Sequence, residues 1–220
     1  MELKGKKIAF LGDSITAGLT YYISSIDKVY WNVIASKTGA ICTANGIGGT
    51  RIAPQRVPSP TPRHDIYFAS RVHELDPESD VVVIFGGTND YGHGDAAMGK
   101  PGDTSEATFC GAYYVLVNAI KKQCPNAVIV AMTPIHREGE EWLYNERGVR
   151  CVGTLTDYVN NIIAVANLMD IKSVNMLERY PVDPNVPEQK EKYCPDGLHP
   201  NDDGHEILGN CLLDFLTNEI

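Results

Sequence analysis

Several things are scarce or missing in this 220-residue chain, and each absence narrows the field. No apolar run approaches the roughly 20 residues needed to span a bilayer. Basic residues do not predominate: 19 Lys and Arg stand against 28 Asp and Glu, a formal net charge of −9. Such a surface repels phosphate backbones and anionic headgroups, so no nucleic-acid or membrane partner is expected. The six cysteines, Cys42, Cys110, Cys124, Cys151, Cys194 and Cys211, include no C-x-x-C pair. A structural zinc site and a disulfide framework are therefore not expected, and the thiols read as reduced. No Asn-x-Ser/Thr sequon occurs. The apolar segment Ile8–Leu11 near the N-terminus is too short for a signal-peptide core, and a cytoplasmic protein is expected. Repeats, linkers and low-complexity tracts are also missing, which points to one domain over residues 1–220.

What is present alternates. Short apolar runs at Lys7–Leu11, Ala40–Ala44, Val81–Phe85, Ala127–Met132 and Ile171–Asn175 are each bounded by turn residues or longer polar stretches. They lack polar alternation and read as strands buried on both faces. Amphipathic stretches at Tyr22–Lys37, Asp65–Leu75, Ala107–Cys124, Val149–Met169 and Asp203–Thr217 read as helices. Strand–helix alternation with right-handed crossovers predicts a three-layer α/β/α fold around a five-stranded parallel sheet, in the flavodoxin-like order 2-1-3-4-5. Long loops at Gly49–Pro62, Tyr91–Glu106, Pro134–Gly148 and Glu178–Pro195 should gather at the carboxyl edge of that sheet, where such folds bind ligands.

Four short segments fall at that edge. Gly12-Asp13-Ser14-Ile15 follows the first strand and presents a serine at a strand-to-helix turn, although Asp or Ser there also serves as a plain helix cap. Asn45-Gly46-Ile47-Gly48-Gly49-Thr50-Arg51 follows the second; its glycines allow close backbone approach to a ligand, or simply a flexible turn. Gly86-Gly87-Thr88-Asn89-Asp90 follows the most apolar strand, and the Asn89 amide suits either an oxyanion or an Asx-turn. Asp196-Gly197-Leu198-His199-Pro200-Asn201 precedes the last helix, where an Asp can fold back onto a His three residues later and leave its other nitrogen as a base. Taken singly each segment is ambiguous. Together they supply a nucleophile, a base, an acid to orient the base and oxyanion donors, which is the equipment of acyl transfer. Gly94–Lys100 fits most of a phosphate-binding loop, but Pro101 stands where that motif needs Ser or Thr.

In their order the four segments resemble the four blocks of the SGNH/GDSL hydrolase family, spread over nearly the whole chain. The resemblance implies Ser14 as nucleophile, His199 as base and Asp196 as third member of the triad. It implies an oxyanion hole made by the N–H groups of Ser14 and Gly49 and the side chain of Asn89, with Gly48 the alternative to Gly49. No metal or organic cofactor is implied. Asp13, Arg51, Tyr91 and His93, in or just after the blocks, are candidate substrate contacts. Polar, glycine-rich loops favour a small acyl ester, such as an acetylated carbohydrate. A thioesterase or lysophospholipase on the same triad, and a carbohydrate-binding domain without turnover, are the alternatives.

Overall fold

The run Val81–Phe85, five apolar residues without a polar interruption, is buried along its whole length. It forms β3, at the centre of one parallel sheet with β1 (Lys7–Gly12), β2 (Ile41–Gly46), β4 (Val128–Met132) and β5 (Lys172–Val174), in the order β2-β1-β3-β4-β5. This is the expected topology. The structure is a computed structural model and describes residues 1–18, 21–144, 148 and 150–220.

Because side chains alternate across a strand, the sheet builds two cores. Ala9, Leu11, Val82, Ile84, Ile129 and Ala131 face one layer, covered by α4 (Phe109–Gln123) and α5 (Leu155–Leu168). Ile8, Phe10, Val81, Val83, Val130 and Met132 face the other, covered by α2 (Tyr30–Thr38) and α8 (Asp202–Asn218). Between these, the chain forms the short helices α1 (Ser14–Ala17), α3 (Thr88–His93), α6 (Met176–Arg179) and α7 (Pro187–Tyr193). None of the helices among the described residues is long and apolar enough to cross a membrane.

Four local expectations need correction. The strands are not all buried on both faces: β2 is an edge strand with Ile41, Thr43 and Ala44 exposed, and Lys172 of β5 is exposed at the other edge, because the flanking helices do not reach past the outer strands. The helix expected over Tyr22–Lys37 is broken at Val29, whose extended backbone (ψ 142°) separates a 3-10 turn at Ile26–Lys28 from α2. The stretch Asp65–Leu75 winds as 3-10 turns at Pro62–Asp65 and Phe68–Glu74 rather than as an α-helix. The helix expected from Val149 starts at Leu155, where Thr154 and Asp157 form a reciprocal capping box that sets the first turn. Val149 itself, and residues 145–147 of the expected Pro134–Gly148 loop, lie outside the described residues. The Glu178–Pro195 loop carries α7 and part of α6.

Register brings the site together. Gly12 is level with Gly46 on one side and with Phe85 on the other, and Phe85 with Met132. The segments that follow β1, β2 and β3 therefore leave the sheet at one height. They do so where the chain order reverses between β1 and β3, the crevice in which open α/β sheets bind ligands.

Candidate active site

Ser14 is the first residue of α1. Asp13 caps that helix, its carboxylate accepting from Ile15 N–H at 3.0 Å. At the N-terminus of a helix the Ser14 N–H has no carbonyl of its own helix to bond. The turn is tight because glycines allow it: a Cβ on Gly46 would stand 2.3 Å from the Ala17 backbone nitrogen, so only glycine lets the end of β2 lie against α1.

His199 reaches Ser14 from the turn before α8, with Nε2 2.9 Å from the Ser14 Oγ. Its Nδ1 lies 2.7 Å from Asp196 Oδ2. The other carboxylate oxygen accepts from the backbone N–H groups of His199 (2.7 Å) and Leu198 (2.9 Å), so Asp196 closes the turn as it orients the ring. A carboxylate only accepts, so the ring proton sits on Nδ1 and Nε2 is the acceptor facing the serine hydroxyl. Burial pushes the Asp196 carboxyl up, but those three hydrogen bonds outweigh it and hold the group below the usual carboxylate range.

Asn89, on the first turn of α3, is 6% exposed. Its Nδ2 donates to the Thr50 carbonyl at 3.0 Å and lies 3.4 Å from Asp13 Oδ2. The glycine loop runs alongside. A Cβ on Gly48 would touch Ser14 Cβ at 3.5 Å, and Gly49 turns at φ +77° with the His64 ring packed where a Cβ would be. The N–H groups of Gly48 and Gly49 donate to no partner among the described residues. Both glycines suggested by the sequence thus remain able to face an oxyanion. The structure brings Ser14, Asp196, His199, Asn89 and the glycine loop into one crevice.

Comparison with known proteins bears on this geometry. The GDSL-like Lipase/Acylhydrolase family matches residues 10–207. The chain belongs to that family. It is accordingly an enzyme acting on ester bonds, an esterase or acylhydrolase. Among solved structures, a Lactobacillus plantarum protein is 26% identical, with a TM-score of 0.81 and 99% of each chain covered. A candidate GDSL-like lipase from Bacteroides uniformis is 17% identical, with a TM-score of 0.67, covering 97% of this chain and 96% of its own. An acetyl xylan esterase is 23% identical, with a TM-score of 0.64, covering 94% of this chain and 98% of its own. The last two show the shared GDSL fold. A search of curated proteins gives no significant match.

Three of the four remaining residues singled out in this GDSL chain lie deeper than a substrate contact would. Asp13 (1% exposed), Arg51 (1%) and Tyr91 (5%) are buried. Arg51 Nη2 donates to the His64 carbonyl at 2.6 Å and pairs with Asp65 at 3.2 Å, while Tyr91 donates its hydroxyl to the Gly139 carbonyl at 2.5 Å. Their burial leaves these three side chains almost no exposed surface with which to touch a ligand. His93 is partly exposed and bridges Arg51 and Asn89. Burial raises Asp13 to about 6, the hydrogen bond from the Ile15 N–H offsetting only part of the effect. Asp90, which accepts from Ile52 and Ala53 N–H at 3.0 and 2.9 Å, is likewise pushed up to about 6 by burial.

Two buried arginines that brace the site's loops escape sequence reasoning. Arg71, 2% exposed, donates to the carbonyls of Gly12 (3.0 Å) and Asn45 (2.9 Å), to Asn45 Oδ1 (2.5 Å) and to Thr50 Oγ1 (3.1 Å). It ties the ends of β1 and β2 to the glycine loop, and burial lowers its pKa to about 10. Arg137, 7% exposed, donates to the Thr88 carbonyl at 3.1 Å and lies over the Tyr91 ring, beneath α3. No motif marks either residue, because their acceptors, backbone carbonyls and side-chain oxygens alike, lie far away in sequence.

Proposed function

We propose that this enzyme hydrolyses small acyl esters by a two-step acyl transfer through Ser14. The observation that carries the reading is the unbroken chain from Ser14 Oγ to His199 Nε2 (2.9 Å) and from His199 Nδ1 to Asp196 (2.7 Å). Ser14 attacks the ester carbonyl as His199 takes its proton, and Asp196 stabilises the imidazolium. The N–H groups of Ser14 and Gly49, with the Asn89 amide, receive the oxyanion. His199 then protonates the leaving alcohol, and water, activated by the same imidazole, releases the acid and restores Ser14.

Support for a small acyl group comes from the cavity beside the nucleophile. It has a volume of about 130 Å³ and is lined by Ser14, Ala17, Gly46, Ile47, Gly48 and Arg63. The backbone walls of Gly46 and Gly48 leave little freedom to widen, since the end of β2 is already in contact with α1. Together with the polar loops this favours acetyl esters of carbohydrates, a reading with which the acetyl xylan esterase neighbour agrees. The test is steady-state hydrolysis of p-nitrophenyl esters from acetate to decanoate, run beside Ser14→Ala and His199→Ala. The proposal expects kcat/KM to be highest at two to four carbons and both variants to be inactive. A maximum at ten carbons would refute the small acyl group, and turnover by Ser14→Ala would refute the mechanism.

A further inference from the structure

An oxyanion hole that uses a carboxamide works only if the nitrogen, not the oxygen, faces the developing charge. The two ends of the amide are nearly equal in size, so its orientation is set by hydrogen bonds. Asn89 Oδ1 lies 3.2 Å from Nε2 of His93, one turn further along α3. His93 Nδ1 in turn lies 2.7 Å from Arg51 Nη1. A guanidinium has donors and no acceptor, so the proton between them belongs to Arg51 and His93 Nδ1 accepts it. The proton of the neutral ring is then on Nε2, and Nε2–H donates to Asn89 Oδ1.

That polarity fixes the rest. With Oδ1 held by His93, the Asn89 NH2 group faces the Thr50 carbonyl at 3.0 Å and Asp13 Oδ2 at 3.4 Å. One of its protons goes to Thr50. Among the described residues the second has only the long contact with Asp13, and it is the one an oxyanion would take. A flipped amide would turn its oxygen toward a carbonyl and a carboxylate, and its NH2 toward an N–H. Arg51 is itself held by the His64 carbonyl and Asp65, and it directly follows Thr50 and the glycine loop. One stretch of chain therefore supplies both the guanidinium at the head of the relay and the carbonyl at its tail.

We propose that Arg51 and His93 are positioning residues which, through the directed chain Asp65–Arg51–His93–Asn89, hold the Asn89 amide nitrogen toward the oxyanion. This inference rests on the reading of Asn89 as an oxyanion donor. His93 is the place to test it, because it is partly exposed and its replacement leaves the buried arginine in place. His93→Gln offers an N–H to Asn89 and an oxygen to Arg51. His93→Glu has the same size and offers no donor, so the amide turns its nitrogen toward the new carboxylate.

The experiment measures kcat, KM and thermal unfolding on p-nitrophenyl acetate for the parent, both His93 variants, Asn89→Ala and the double variant Asn89→Ala/His93→Glu. Loss of a whole oxyanion donor costs about 10²–10³ in kcat, so His93→Glu should lose about tenfold or more at a KM within about twofold. His93→Gln should stay within about threefold of the parent. In the Asn89→Ala background His93→Glu should cost nothing further, because the amide it misdirects is gone. Equal kcat for the Gln and Glu variants, or the same loss with and without Asn89, overturns the relay. Parent-like kcat in Asn89→Ala would instead overturn the oxyanion role of Asn89 itself.

Discussion

The buried carboxyl of Asp13 makes a quantitative claim about stability. Its side chain is 1% exposed, and burial raises its pKa from the ordinary 3.8 to about 6. A folded-state pKa above the unfolded one means that folding favours the protonated form. The stability this contributes is complete below pH 3.8 and is lost as pH rises through about 6. A shift of that size corresponds to about 3 kcal/mol at 1.36 kcal/mol per unit. Asn in place of Asp keeps an oxygen for the Ile15 N–H and cannot ionise. The free-energy difference between Asp13→Asn and the parent should therefore move in the variant's favour by about 2.4 kcal/mol between pH 4 and pH 7.5, the remainder having been lost already at pH 4. Urea denaturation across that range measures it. His205, which burial lowers to about 3, destabilises both proteins alike as pH falls and cancels in the difference. Asp90, also raised to about 6, has the same sign as Asp13 and remains in both proteins. A difference that stays constant with pH would refute the reasoning.

Further outcomes follow from the same contacts. Arg71→Met strips four acceptors of a buried cation and should destabilise the fold by about 3–5 kcal/mol, read as a fall in the denaturation midpoint. Gly46→Ala places a Cβ 2.3 Å from the Ala17 nitrogen; separating β2 from α1 should cost about 1–3 kcal/mol and lower kcat on p-nitrophenyl acetate, because the displaced helix carries Ser14. Asp196→Asn removes the acceptor that places the His199 proton on Nδ1, and kcat should fall by about 10⁴ with the turn retained by near-ultraviolet dichroism.

How much of this was legible beforehand depended on where the determinants lie. The central strands were readable because Val81–Phe85 and Val128–Met132 are apolar without interruption, which only a strand covered on both faces requires. The edge strand β2 carries a weaker run, interrupted by Thr43 and Asn45, and its exposure follows from its position at the edge of the sheet, which topology sets. Ser14, Asn89 and the glycine loop were readable because each directly follows a strand end, and His199 because its Asp196 partner is three residues away. Val29 was not, because its extended backbone interrupts a stretch whose periodicity still suits a helix. The Arg51–His93–Asn89 relay and the Arg71 clamp depend on contacts 4 to 59 residues apart in which the direction of a hydrogen bond, not a pattern, carries the meaning.

The account turns on Ser14 as the nucleophile. The most direct test is to treat the protein with a fluorophosphonate, which phosphonylates activated serine hydroxyls, and to locate the adduct by peptide mass spectrometry. The account predicts one adduct, on Ser14, formed more slowly while excess ester substrate is present, absent in Ser14→Ala and strongly slowed in His199→Ala. An adduct on another residue, or labelling of Ser14 that proceeds as fast without His199, would contradict it.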